Sequence, residues 1–351
     1  MVPVKLQAAD PLYTEQTFEV LDGYISSAVL IAALEHGLFW LLEIKPLKAE
    51  AIAEQLDLPL GRCRYWLQYL CRLGYLIEEP EGYTLAEKAV KGIMGSYSQD
   101  SWSLLAQEAR EASPPFLYFS THLSSRDSLW REAGLDPQNY IENMISDPAR
   151  ARRFTRMLYE LHQDLANEIA QRLDLTTAHR LMDLGGGSGV VSAAILQRYP
   201  TLSLLVVDIK SVCAAGKELA EEAGLSDRLQ FHPADFLLDD LPEEFDLVLE
   251  CDVGVYDERL FEKVREALTP GGRYVIIDQF APVPGVAPEA RLSWALQGSM
   301  RDSEFRYRSA DEIADMLDGC GFSSVSVQSF SMRVSNENRF NKEMYIIEAV
   351  V

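Results

Sequence analysis

A chain of 351 residues, 48% hydrophobic and 25% charged, has room for two packed domains and is too apolar for a disordered polymer. Its net charge of −22 argues against DNA or RNA as the main partner, because nucleic-acid affinity rests on Lys and Arg at phosphates. Five cysteines, an odd number without metal-ligand spacing, fit a reduced, cytoplasmic setting better than a disulfide framework, and no metal site is expected.

The N-terminus lacks a basic-then-apolar leader pattern. The longest apolar stretch, 28–42, is interrupted by Glu35, His36 and Gly37 and reads as a buried helix rather than a span, so a soluble protein is expected. Residues 13–44 are helical in pattern, with Leu30, Leu34, Leu38 and Leu41 at helical intervals and alanines that let another helix approach. A helix this apolar needs cover, and a second subunit is one source of it.

Two shorter helices follow, 48–56 and 62–73, the second ended by Gly74. Residues 75–85 read as a hairpin turning at Pro80 and Gly82. Helix, turn, helix and hairpin form a winged-helix pattern. The second helix carries Arg62, Arg64 and Arg72, but also Tyr65, Trp66, Leu67, Tyr69 and Leu70. Few side chains are left for phosphates, which favours packing or dimerisation over DNA binding.

Residues 86–170 continue as helices, with turns at Ser113-Pro114-Pro115 and Asp136-Pro137 and a dense set of aromatics. A long amphipathic helix is expected over 150–173, with His162 beside its apolar face as a candidate pocket residue. From residue 178 strands and helices alternate. Strands are expected at 180–184, 203–208, 229–232, 245–251, 272–278, 323–329 and 343–349, giving an α/β, mostly parallel sheet. The last two are separated only by the loop 330–342 and should form an antiparallel edge.

Leu181-Met182-Asp183-Leu184-Gly185-Gly186-Gly187-Ser188-Gly189 joins the first of these strands to a helix. It departs from the dinucleotide fingerprint at Val190 and lacks the Lys of a phosphate loop. Asp183 would oppose a pyrophosphate and suits a cationic ligand. Asp208 ends the second strand at the interval of a ribose-binding carboxylate, and Asp235-Phe236 follows the third, an acid and an aromatic face for a purine.

These segments, with Glu266-Ala267-Leu268-Thr269-Pro270-Gly271-Gly272-Arg273, resemble the successive motifs of class I S-adenosylmethionine-dependent methyltransferases. Residues 28–85 resemble the winged-helix dimerisation domain of the small-molecule O-methyltransferases of secondary metabolism. The resemblance implies a Rossmann-like seven-stranded sheet, a dimerisation domain at 1–100, a helical linker and pocket region at 101–175 and a cofactor domain at 176–351. It further implies a homodimer and a small aromatic or polyketide-like acceptor. Carried over by position, Gly185, Gly187 and Gly189 would meet the amino-acid part of S-adenosylmethionine, Asp208 its ribose, and Asp235 and Phe236 its adenine, with Cys251 alongside.

One segment departs from that family. After the fourth strand it carries a His-Asp-Trp whose His is the general base, whereas this chain reads Glu250-Cys251-Asp252-Val253-Gly254-Val255-Tyr256-Asp257-Glu258. Val253 or Val255 falls at the His position, depending on the alignment. A general base is worth ~10²–10⁴-fold, and a phenol needs that help near neutrality. Three outcomes remain open. The acceptor is already nucleophilic, a carbon acid included; or Asp252, Tyr256 or His162 serves as base; or the cofactor is bound without methyl transfer. For Asp252 a loop-capping role weighs equally, and for Tyr256 hydrogen bonding to the acceptor is the better role. The segment 291–308, with Trp294, Met300, Arg301 and Arg306, reads as part of a substrate lid whose Arg residues suit either an acidic acceptor or a subunit interface. A winged-helix regulator that uses the cofactor as a ligand is the remaining alternative.

Overall fold

In a computed structural model the chain divides into two compact units, Met1–Ser113 and Pro114–Val351. The structure describes residues 10–135, 137, 140–333 and 341–351. Asp136 of the expected turn, and most of the loop expected before the last strand, lie outside the described residues.

The first unit begins with three helices where one long helical stretch is expected: Pro11–Leu21, Gly23–Glu35 and Leu38–Glu43. Asp10 caps the first through a 2.9 Å bond from the Leu12 N–H to its carboxylate. The third starts at Gly37, whose φ of 65° is the left-handed conformation glycine adopts without strain. Helices Ala49–Gln55 and Leu60–Arg72 follow, then β1 (Leu76–Glu79) and β2 (Gly82–Leu85), antiparallel, as the winged-helix pattern predicts. Leu38, Phe39, Ile52, Leu67 and Leu70 close the core of this unit. Of the arginines on Leu60–Arg72, Arg64 pairs with Glu50 at 2.5 Å and Arg72 lies 5.7 Å from the Tyr69 ring centre.

The second unit holds a seven-stranded sheet: β3 (Arg180–Leu184), β4 (Ser203–Asp208), β5 (Leu229–Pro233), β6 (Phe245–Cys251), β7 (Leu268–Asp278), β8 (Ser323–Arg333) and β9 (Asn341–Val350). Its order is β5-β4-β3-β6-β7-β9-β8. Pairs from β5 to β7 are parallel, and β9 runs antiparallel to both β7 and β8, the expected edge. Strand order reverses between β3 and its two neighbours, so the carboxyl ends of β3, β4 and β6 open a crevice where α/β sheets bind ligands. Leu181, Leu247, Leu249 and Ile277 face one core layer; Met182, Val248, Tyr274 and Ile276 face the other.

Two expectations are corrected. The helix expected over 150–173 is two helices, Pro148–Leu161 and Gln163–Arg172, meeting at His162. The last two strands are also longer than expected, reaching Arg333 on one side and beginning at Asn341 on the other. Among the described residues no single helix is long and apolar enough to cross a membrane; Pro11–Leu21 and Gly23–Glu35 pass that test only together, bent by 46° at their junction.

The packing of helix Lys210–Glu222 on β5 is close enough to test. A Cβ at Gly216 would lie 2.2 Å from the Phe231 ring. Gly216→Val should therefore lower stability to chemical denaturation by about 1–3 kcal/mol through overpacking. Gly61→Ala, on a helix where nothing lies within 4 Å of the new Cβ, should be neutral or stabilising by up to about 1 kcal/mol.

Candidate active site

The crevice is built on the turn after β3. Gly185, Gly187 and Gly189 all take positive φ (66°, 57° and 72°). Gly186 is needed for a different reason: a Cβ there would fall 2.5 Å from the Asp183 carboxyl carbon. The turn passes so close to Asp183 that a side chain at Gly186 would collide with it. Asp183 is 1% exposed and accepts from Ser192 Oγ at 2.5 Å, and its other oxygen, Oδ1, is buried without a partner among the described residues. Burial raises its carboxyl to about 7, with the nearby charge of Asp208 adding to the effect.

Asp208 closes the other side. It accepts from the Gly187 N–H at 3.0 Å and from the Ile209 N–H at 2.7 Å, which locks its carboxylate at the end of β4 against the glycine turn. Burial raises it to about 6, the two backbone bonds opposing. Asp235 is half-buried, and its Oδ1 accepts from the Leu237 N–H at 3.0 Å, organising the turn that presents Phe236. The Phe236 ring reaches Gly185, where an added Cβ would lie 3.5 Å from it. Thus Asp183, the glycines, Asp208 and Phe236 surround one turn. Cys251 and Asp252 join Asp183, Gly185, Gly187 and His162 in lining a single cleft. Burial raises the Cys251 thiol well above its usual range, so it is a neutral wall rather than a nucleophile.

Beyond the cleft lies a charged cluster that sequence reading touched only in part. Asp252, in a left-handed backbone conformation (φ 54°), forms an ion pair with Arg291, and its other oxygen lies 3.9 Å from His162 Nε2. Arg291 also meets Gln279, whose amide oxygen accepts from Arg291 Nε at 2.8 Å. Tyr256 does not face a partner-free space: its hydroxyl donates to Asp278 at the end of β7. Asp278 is raised to about 7 by burial, with the charge of Asp252 adding to it. One layer deeper, the Tyr274 hydroxyl donates to Glu250, whose carboxyl burial pushes up to about 8. Of the other arginines in the segment 291–308, Arg301 lies 5.0 Å from the Trp130 ring centre and Arg306 pairs with Glu312 at 2.7 Å.

Ser192 and Tyr140 carry no signal in sequence reading, and Glu250 and Asp278 only that of their place at strand ends. Tyr140 keeps 47% of its surface exposed, yet burial about its hydroxyl and the charge of Asp208 raise its phenol. Acidic residues at the ends of β6 and β7 were the one available clue, since strand ends are where such sheets place their chemistry.

Residues 124–323 match the family described as the O-methyltransferase domain. The chain belongs to that family. Among curated relatives, demethylspheroidene O-methyltransferase of Cereibacter sphaeroides is 27% identical over 334 residues, covering 89% of this chain and 83% of the relative. The 3-hydroxy-5-methyl-1-naphthoate 3-O-methyltransferase of Streptomyces sahachiroi is 27% identical over 329 residues, covering 91% and 92%. Among solved structures, the one titled "PigF with SAH" superposes with a TM-score of 0.78 at 20% identity, covering 95% of this chain and 99% of that one. The fold is therefore that of a Rossmann-like O-methyltransferase.

S-adenosylmethionine, the cofactor implied by resemblance, fits the residues present. A buried carboxylate oxygen without a partner suits a ligand that carries positive charge. Gly185, Gly186 and Gly187 also present bare backbone to the cleft.

The buried carboxyls make a stability prediction. Asp183, Asp208, Glu250 and Asp278 all hold protons more tightly folded than unfolded. Their contribution is therefore full below about pH 4 and is lost as pH rises through about 6 to 8. Denaturation curves of the ligand-free protein should show stability falling from pH 5 to pH 8. Glu250→Gln, which keeps an acceptor for Tyr274, should flatten the upper part of that fall; an unchanged slope would contradict the assignment.

Proposed function

We propose that this O-methyltransferase family member transfers the methyl group of S-adenosylmethionine to an oxygen of a small aromatic or polyketide-like acceptor. The observation that carries the reading is Asp183, buried with one oxygen unpartnered at a glycine turn that faces the cleft. In this reading Gly185, Gly187 and Gly189 pass along the amino-acid part of the cofactor. Asp208, already fixed by two backbone bonds, accepts from the ribose hydroxyls. Asp235 and Phe236 receive the adenine, and Cys251 lies alongside. When bound, the cofactor supplies an electrophilic methyl on a sulfonium, which the acceptor's lone pair takes as the C–S bonding electrons return to sulfur.

The chain's own contribution is to orient the acceptor and shield it from water, much of the acceleration in such a displacement. Leu292, Trp294 and Leu296 stay 63%, 60% and 41% exposed on the helix that follows Arg291, an apolar surface beside the charged cluster. Oxygen as the receiving atom is supported by the names of the two curated relatives, both O-methyltransferases. The base of the wider family is absent from its usual segment. Val253 packs against Gly185, and Val255 packs into the core beneath the sheet, so neither position offers a proton acceptor.

A homodimer belongs to the same reading. Helix Pro11–Leu21 has no buried residue, while Leu12, Tyr13, Phe18, Val20 and Leu21 are 59–80% exposed. Such a surface needs cover, and a second copy of this chain provides it. Sedimentation should give twice the chain mass of 39.5 kDa, and Phe18→Glu with Leu21→Glu should shift it to the monomer.

Cofactor binding should be coupled to a proton. Asp183 is protonated below about pH 7 in the free protein, and a cationic ligand favours its ionised form. Calorimetry in buffers of differing ionisation enthalpy should find a proton released on binding at pH 6. Affinity should rise with pH and level off above about 7, and Asp183→Asn should abolish this dependence. Incubation with labelled cofactor and a panel of phenols should release S-adenosylhomocysteine. Tight binding with no release from any acceptor would favour a non-methylating role.

A further inference from the structure

We propose that His162 is the general base for the acceptor hydroxyl, held ready by Asp252 and Arg291, in place of a base on the segment after β6. This rests on the methyl-transfer reading above and assigns the proton that reading leaves without an acceptor.

The first observation is the helix break. His162 ends Pro148–Leu161 and begins Gln163–Arg172, with φ −101° and ψ 9°, and its own N–H still bonds to the Leu158 carbonyl. No glycine or proline causes the break. Its consequence is that the imidazole lines the same cleft as Asp183, Gly185, Cys251 and Asp252.

The second is what the ring meets there. Nε2 stands 3.9 Å from Asp252 Oδ2, too far for a hydrogen bond, so this carboxylate does not fix a proton on Nε2. Asp252 is itself anchored by Arg291, and Arg291 by Gln279. A proton arriving at Nε2 therefore makes an imidazolium beside a fixed carboxylate, whose charge favours it. The other candidates are already engaged: Tyr256 donates to Asp278, and Asp252 is neutralised by Arg291.

The groups bearing on the ring are Asp252 after β6, Arg291 before helix Leu292–Arg301, and Lys342 on β9, with Asp183 and Cys251 also lining the cleft. Burial lowers the proton affinity of His162, Arg291 and Lys342 act in the same sense, and Asp252 opposes them. The ring is neutral near pH 7 and free to accept. The step is a simple transfer: the acceptor O–H bond breaks, its electron pair stays on oxygen, and the proton binds His162 Nε2. The side chain is 33% exposed, so the proton then leaves to solvent.

The test combines turnover with a readout that needs none. In the S-adenosylhomocysteine complex, NMR titration of the imidazole, assigned with His162→Gln, should show its midpoint falling further in Asp252→Asn, because the one group that favours the imidazolium is gone. A midpoint unmoved by Asp252→Asn overturns the coupling. With 1-naphthol and related phenols as probes, His162→Gln should lower kcat by ~10²-fold at pH 7 with cofactor Kd within threefold, and imidazole should partly rescue His162→Ala. On 4-nitrophenol, largely ionised above neutrality, the loss should shrink to a few-fold. His162→Gln within threefold of wild type on the phenols overturns the proposal while leaving methyl transfer intact. A wild-type protein that binds cofactor but methylates none of the probes overturns both.

Discussion

The structure depends on a contact too small to hold a methyl group. At the end of β3 the backbone of Gly186 passes so close to the Asp183 carboxylate that any Cβ would collide with it. That approach lets Ser192, on the following helix, hold one carboxylate oxygen. It also lets Gly187 reach Asp208 on the neighbouring strand. Two strand ends, a helix start and two buried acids are thereby joined by two hydrogen bonds and a run of glycines. The cleft, its charge and the orientation of its walls follow from that junction.

Burial is the second constraint. Placing Asp183, Asp208, Glu250 and Asp278 behind the strand ends costs stability as pH rises to neutrality, because each holds its proton more tightly folded than unfolded. Surrounding structure supplies partial compensation through Ser192, Tyr274, Tyr256 and backbone N–H groups, and leaves one oxygen each of Asp183 and Glu250 without any among the described residues. A site built this way favours a ligand that brings its own positive charge. Arg291 belongs to the same economy of charge: it neutralises Asp252, the acid placed nearest the histidine.

Much of this was legible in the sequence because it is local. The strands ending in Leu184, Asp208 and Cys251 are apolar runs bounded by turn residues, and all three match the structure to the residue. The winged-helix hairpin is announced by Pro80 and Gly82. What was not legible is set by packing. Residues on both sides of His162 share one helical periodicity with no breaker, so the chain reads as continuous there although the structure divides it. The pairing of Arg291 with Asp252, 39 residues apart, and of Tyr256 with Asp278, 22 apart, leaves no local pattern at all. The role of Val253, filling the space against Gly185, is likewise visible only in three dimensions.

The central claim is that the junction of Asp183, the glycine turn and Asp208 holds S-adenosylmethionine. Calorimetric titration of the cofactor into wild type and Asp208→Ala tests it most directly, with thermal melts to confirm that both are folded. Loss of the ribose-accepting carboxylate should weaken binding by about 10- to 150-fold, the equivalent of about 1.5–3 kcal/mol for hydrogen bonds to a charged group. A dissociation constant within twofold of wild type would contradict the account.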